Sequence, residues 1–283
     1  MVNGQTKPFA KQNTISKSMS ESLSIRHKQL HTDGRHLTDD SSVSEATLTS
    51  AMVDVLAHAE QRVTSIGGTM KYVRSISLYE CQEYFEKVGG PPANVINKSV
   101  YMKPDGGIII ANVQGKSYPI FIGEDKVQGT NDILFAQNKK RQTTGNAIER
   151  GAKNIRGADM VFSGLDIFPY VMFVSGCDFH SSETIAKRIE MMNMGVPNHY
   201  INMTKETTRE ELDTKVEAII SSISIKKLCN KSIASIFVKA HKYDEMPHGA
   251  SRWDKCDIVQ ICNKIIDLAM DEIIIKTSLR QDT

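Results

Sequence analysis

The spacing of apolar positions divides the chain into segments of different period. From Ser44 onward, Leu48, Met52, Val55, Leu56 and Val63 recur at helical spacing and form one stripe. A second helix is predicted over Leu78 to Val88 and stops at the breaker Gly89-Gly90-Pro91-Pro92. Gly107 to Val113 and Tyr118 to Val127 then read as two strands joined by a turn at Gln114-Gly115-Lys116-Ser117. Helices are predicted over Asn146 to Phe162 and over Glu183 to Met194, the latter ended by Gly195 and Pro197. Ile167 to Ser175 and Ile233 to Ala240 are apolar enough to be buried strands. The last helix opens on a capping box, Ser251-Arg252-Trp253-Asp254, and aligns Ile258, Ile261, Cys262, Ile265, Ile266 and Ala269 on one face. Residues 1–43, rich in Ser, Thr, Lys and His, read as a flexible N-terminal arm with a short helix around Glu21 to Leu30; residues 44–283 read as the folded domain. Strands alternating with helices predict an α/β fold with a mixed central β-sheet flanked by helices.

Composition changes this picture little. The chain has 283 residues, 40% hydrophobic and 24% charged, as in ordinary soluble proteins. Its longest apolar run, Ile167 to Val174, falls well short of the ~20 residues a membrane-spanning helix needs. The opening MVNGQTKPFAKQNTISKSMS has no apolar core of a secretory signal. Five cysteines (Cys81, Cys177, Cys229, Cys256, Cys262) form no CxxC and no His/Cys spacing, which argues for reduced thiols in a cytoplasmic protein and against zinc.

Charge is informative only locally. The net charge is +2, but Lys139, Lys140, Arg141, Arg150, Lys153 and Arg156 crowd one short stretch that holds a single acid, Glu149. Such a block suits phosphate contact, although taken alone it reads first as a solvated loop and helix face.

The predicted hairpin carries the first candidate chemistry. A two-residue turn at Gly115-Lys116, counted outward, sets Asp105 opposite Lys126 and makes Glu124 its diagonal neighbour. Alternation puts Glu124 and Lys126 on one face and Asp125 on the other. Opposite Cβ atoms lie ~5 Å apart and diagonal ones ~7–8 Å, so two carboxylates and a lysine converge on one patch. Hard carboxylate oxygens beside solvent suit Mg²⁺, which can neutralise a scissile phosphodiester and acidify a bound water. Lys126 can orient or deprotonate that water, or balance charge in the transition state. A plain turn at Asp105-Gly106-Gly107 and a solvated Glu/Lys face fit the same residues.

The second constellation is GNAIER, from Gly145 to Arg150. Asn146 and Glu149 fit a helix N-cap and its reciprocal partner. The surrounding cations suggest more: a helix start offers N–H groups to phosphates, Asn pairs with an adenine edge, and Arg pairs with a purine edge in the major groove.

Taken in order, these motifs resemble the EcoRI family of restriction endonucleases. The resemblance rests on KPDGG (Lys103 to Gly107), Glu124-x-Lys126 followed by Gln128-Gly129, and GNAIER with Lys153-Asn154. It continues through FPYVMF (Phe168 to Phe173), Gly195-x-Pro197 and Arg252-Trp253-Asp254, from about residue 66 to residue 270, and fails over the arm. It implies a PD-(D/E)xK nuclease core in an endonuclease domain, residues 44–283. It also implies a homodimer that recognises GAATTC or another palindrome centred on AATT in double-stranded DNA, a cognate DNA methyltransferase as functional partner, and Mg²⁺ as cofactor. By resemblance Asp105, Glu124 and Lys126 are catalytic, and Asp105, Glu124 and the main-chain carbonyl of Asp125 are metal ligands. Asn146, Ala147, Glu149 and Arg150 occupy the base-reading segment that opens at Gly145, Lys103 and Lys153 fall at phosphate-contacting positions, and Glu80 matches an upstream acid. Three departures stand out. Asp125 replaces a small residue, Thr143-Thr144 replaces a small pair near the outer-base contacts, and the stretch from Phe179 to Gly195 is shortened.

The leading expectation is therefore a type II restriction endonuclease that leaves 5′-phosphates. The alternatives are a catalytically silent DNA-binding relative and a structure-selective repair nuclease on the same core. An intact Asp105/Glu124/Lys126 set argues against the first, and a base-reading segment against the second.

Overall fold

Among the described residues, eight strands and four helices carry the architecture. The strands are β1 (Thr69–Val73), β2 (Ile76–Ser77), β3 (Tyr101–Met102), β4 (Gly107–Val113), β5 (Lys116–Val127), β6 (Tyr170–Ser175), β7 (Tyr200–Met203) and β8 (Ala234–His241). The helices are α1 (Leu37–Thr64), α2 (Glu183–Met192), α3 (Arg209–Asn230) and α4 (Lys255–Ser278). The structure is a computed structural model that describes residues 37–77, 79–81, 99–129, 138, 154–155, 158, 169–180, 183–192, 199–230, 234–242, 245–246 and 249–278. The chain divides into two compact units, Met1–Ser42 and Val43–Thr283. All of these elements lie in the second unit except the first residues of α1, Leu37 to Ser42. Six strands form one mixed sheet in the order β1-β4-β5-β6-β8-β7, and a separate two-stranded ribbon pairs β2 with β3. β1, β4 and β5 run antiparallel, whereas β5, β6, β8 and β7 are parallel neighbours. The expected mixed α/β sheet is present.

Both faces of the sheet are covered, as parallel strands require. On one face α1, α3 and α4 bring Leu48, Val55, Val216, Ile219, Ile261 and Ile265 against Ile109, Phe121, Phe173 and Phe237. On the other, Ile185 and Ile189 of α2 join Ile155, Ala158 and Phe179 over Ile108, Ile122, Met172 and Val238.

Several boundaries differ from the sequence reading. α1 starts at Leu37 rather than near Ser44. α3 has no counterpart among the elements predicted from sequence, although Leu212, Val216, Ile219 and Ile223 keep helical spacing. It also opens on a Thr208/Glu211 capping box, with Thr208 N donating to Glu211 Oε2 and Glu211 N to Thr208 Oγ1, both at 3.2 Å. The α4 cap lies three residues later than expected. Asp257 N donates to Asp254 Oδ1 at 3.0 Å, while the Ser251 hydroxyl is 2.9 Å from His241 Nδ1 in the core. The edge strands β1 and β7 were missed because each is short and half exposed, so neither carries an apolar run. The predicted helix at Glu21–Leu30, most of the helices at 78–88 and 146–162, and residues 193–198 lie outside the described residues.

The hairpin register also needs correction. The turn is Gln114-Gly115, with φ of 50° and 72°, the left-handed pair of a type I′ turn, so Val113 faces Lys116. The register then shifts between Ile109 and Ile110, because Pro119 cannot donate to the ladder and Ile120 is bulged out. This bulge changes which face each residue takes. Ahead of it, Tyr118 and Ile120 point toward α1 and α4. Beyond it Phe121 does so, and Ile122 turns to the opposite face. Glu124 and Lys126 continue the Ile122 side by alternation.

Candidate active site

Asp105 is placed by a turn. Gly107 N donates to Pro104 O at 3.0 Å, closing Pro104–Gly107 just ahead of β4. Gly107 ends it at φ 72°, where a Cβ would lie 2.5 Å from the Tyr72 ring, so only glycine fits. Gly106 N then donates to Gly123 O at 2.9 Å and pins the turn to β5 beside Glu124.

The three residues expected to be catalytic do converge. Lys126 Nζ lies 2.6 Å from Glu124 Oε1, 3.0 Å from Asp105 Oδ2 and 2.8 Å from the Asp125 carbonyl. Asp105 N donates to Glu124 Oε2 at 3.3 Å, and Asp125 N to Asp105 Oδ2 at 3.2 Å. Asp105 and Lys126 meet through their side chains and not as ladder partners: the Gln114-Gly115 turn moves the expected register by two residues and the bulge restores one. The Asp125 side chain takes the other face, where it bonds the Ser44 hydroxyl of α1; burial pushes its carboxyl up to about 6.

Burial grades the cluster. The Glu124 side chain is only 5% exposed, against 34% for Asp105 and 28% for Lys126. Burial raises the Glu124 carboxyl above its usual range although Lys126 draws it down. Burial also disfavours the Lys126 ammonium, yet Glu124 and Asp105 outweigh it and hold the lysine charged.

Two further residues face this patch. Asn154 Nδ2 donates to Glu124 Oε1 at 3.1 Å. The Tyr170 phenol is held far above its usual range by burial and by the negative charges of Glu124 and Asp105. Asn154 stands within a motif of the resemblance and Tyr170 within FPYVMF, but sequence reasoning assigns neither a role. Glu80 acts as a capping partner: its Oε2 accepts from Ser77 N and Ser77 Oγ at 2.8 Å, and its own N–H donates to Ser77 Oγ at 3.1 Å. Lys103 is exposed, two residues before Asp105. Thr143, Thr144, Gly145, Asn146, Ala147, Glu149, Arg150 and Lys153 lie outside the described residues.

The donor set fits a hard divalent cation. Three oxygens already gather around a single cationic centre, the Lys126 ammonium. Among the described residues no group of three His, Cys, Asp or Glu side chains is clustered for a metal. A cation here would rest on Asp105, Glu124, the Asp125 carbonyl and water, the sparse oxygen-only shell that Mg²⁺ accepts and Zn²⁺ does not favour. The cysteines at positions 81, 177, 256 and 262 form no disulfide, and no helix among the described residues is long and apolar enough to cross a membrane.

Comparison with known proteins bears on the same residues. A family described as "Restriction endonuclease EcoRI" matches residues 31–280, reaching further toward the N-terminus than the motifs alone suggested. A curated relative, "Type II restriction enzyme EcoRI" of Escherichia coli, is 27% identical over 187 residues, 61% of this chain. The chain spans 65% of that relative's length.

Proposed function

This chain belongs to the EcoRI family of restriction endonucleases, and from that premise we propose that it is a type II restriction endonuclease. It hydrolyses both strands of duplex DNA at a palindrome with an AATT core, preferably GAATTC, and leaves 5′-phosphates. It works as a cytoplasmic homodimer paired with a cognate methyltransferase that protects the host's own sites. The carrying observation is that Asp105, Glu124 and Lys126 share one patch, with three oxygens around one cationic centre. A silent binding protein has no use for that arrangement.

Asp105, Glu124 and the Asp125 carbonyl hold Mg²⁺ in this reading. The ion neutralises charge on the phosphodiester and acidifies water when bound. Lys126 then faces the attacking water with its ammonium, orienting it and offsetting the charge that builds on the phosphorus oxygens. Glu124, nearly sealed from solvent, fixes one side of the site, while the more open Asp105 side admits the DNA backbone. Asn146, Ala147, Glu149 and Arg150 read bases in the segment that opens at Gly145, Thr143 and Thr144 serve the contacts to the outer pair, and Lys103 and Lys153 contact phosphates. A chain with one GNAIER segment reads a palindrome as a two-fold pair.

Incubation of the purified protein with plasmid and Mg²⁺ tests the reading. Discrete fragments are expected; nicks or smears would point to the repair nuclease, and intact plasmid to the silent relative. Sequencing the ends cut from a randomised hexamer library tests specificity. Ends lacking a shared AATT core overturn the base-reading assignment, whereas a different outer pair overturns only GAATTC. Light scattering should give about 63 kDa, twice the 31.5 kDa chain.

A further inference from the structure

A carboxylate turns easily about its last torsion, so the direction of its lone pairs is set by the donors around it. Glu124 is held on both oxygens. Oε2 accepts from the Asp105 amide at 3.3 Å, and Oε1 from Lys126 Nζ at 2.6 Å and from Asn154 Nδ2 at 3.1 Å. The lysine is a long, flexible arm, and in the proposed reaction it is occupied with water and phosphate. The Asn154 amide is short and planar, and it rides on a helical segment whose Ile155 and Ala158 pack against the sheet. Asn154 itself is exposed, so it contributes little to the core. Its side chain nevertheless reaches a carboxylate that is almost fully buried.

From this geometry we infer that Asn154 is a positioning residue: it fixes the plane of the Glu124 carboxylate, so that Oε2 beside the Asp105 turn and Oε1 beside Lys126 are held ready for the metal. The inference rests on the nuclease reading above and adds a residue to it. Hydrogen-bond partners of ligating carboxylates commonly govern metal affinity or activity by ~10–100-fold. The bond also gives a position four residues beyond Arg150 in sequence a direct hold on the reacting centre.

The informative variant is Asn154→Asp, which keeps the shape but replaces the donor with an anion facing Glu124. Asn154→Ala removes the group, and Asn154→Gln keeps a donor on a longer arm. Full-length protein is bound to a duplex carrying whichever site the wild type cuts, with every linkage of that site made a non-hydrolysable methylene phosphonate. Free Mn²⁺ is then measured by electron paramagnetic resonance, and single-turnover cleavage of the ordinary duplex is followed in parallel. Metal-free duplex affinity and melting temperature should match wild type for the Ala and Gln variants, whereas the added anion of the Asp variant should lower both. Mn²⁺ uptake and the cleavage rate should fall by ~10–100-fold in the Ala variant, at least as far in the Asp variant, and recover in part with Gln. If wild type cuts and takes up Mn²⁺ while the Asp variant stays within twofold of it on both readouts, the inference fails and the nuclease reading stands. A wild-type protein that neither cuts plasmid nor takes up Mn²⁺ overturns both.

Discussion

Two clusters of acids and a lysine occupy opposite faces of the same sheet, and they are built to different ends. On the α2 side Asp105, Glu124 and Lys126 form a patch that is about one-third open at Asp105 and at the lysine. On the α4 side Lys239 and Asp257 are 2% and 1% exposed, joined at 3.1 Å. This buried pair lies beneath a solvent-facing rim, since Arg209, Asp254 and Asp213 are 49%, 42% and 52% exposed. Arg209 takes the other Asp257 oxygen at 2.7 Å and also pairs with Asp254 and Asp213. Lys239 Nζ further donates to the Arg252 carbonyl and lies 4.9 Å over the Trp253 ring, whose indole N–H donates to Val174 O. Burial still raises the Asp257 carboxyl above its usual range despite these cations. Similar residue types thus serve as a sealed brace in one place and an accessible reaction centre in the other. What separates them is whether solvent, and hence a substrate, can reach the lysine at the centre: Lys126 is 28% exposed and Lys239 2%.

The contrast breaks most sharply under substitution. Asp105→Asn, Glu124→Gln or Lys126→Ala should each lower single-turnover cleavage by at least ~100-fold, with the fold intact and metal-free binding of cognate duplex kept or tightened. Cleavage within tenfold of wild type in any of them would place the reacting centre elsewhere. In the sealed cluster the loss should be one of stability. Lys239→Ala leaves Asp257 buried with Arg209 as its remaining cation, at a cost of about 3 kcal/mol. Urea unfolding at neutral pH measures this. Lys239→Met combined with Asp257→Leu should cost less than the single change, because no charge is then left stranded. If Lys239→Ala kept its stability but lost cleavage, the brace would be part of the site.

A smaller effect sharpens the open side. The Lys126 ammonium touches the same three oxygens that are assigned to the cation. Ammonium and metal therefore compete, and Lys126→Ala should take up Mn²⁺ more tightly than wild type when DNA is absent, by on the order of fivefold for a partly solvated charge. Calorimetric titration checks it. Weaker uptake in the variant would mean that the lysine helps to build the metal site instead of guarding it.

Legibility in the sequence followed the range of each contact. Asp105, Glu124 and Lys126 were readable because one hairpin joins them, so local spacing almost fixes their meeting. The register is not legible because a Gln114 with positive φ carries no strong signal and because a proline within a strand, such as Pro119, does not by itself fix where a bulge falls. That Glu124 and Lys126 share a face holds in either register, since alternation beyond the bulge is unaffected. α3 was readable from Thr208-x-x-Glu211 and its apolar period but went unread, and Ser251 imitated a cap that Asp254 supplies. Asn154 and Tyr170 were beyond reach: their relation to Glu124 joins segments that only the tertiary fold brings together.

The smallest predicted effect concerns Lys103, exposed beside the open cluster and two residues from Asp105. A lysine that only meets a phosphate contributes by releasing counterions, and that contribution is blind to base sequence. Lys103→Ala should therefore weaken metal-free binding to cognate and unrelated duplexes by similar factors. The slope of log affinity against log salt should flatten by roughly one unit per half-site. Arg150→Ala provides the contrast, losing ~1–3 kcal/mol per half-site on the cognate sequence through a lost base contact while unrelated duplexes bind almost as before. Fluorescence anisotropy over a salt series, with both duplexes, measures both variants. Should Lys103→Ala change which sequences are preferred while the salt slope stays put, the lysine would be a base reader and the division between positioning and reading would have to be redrawn around the Asp105 turn.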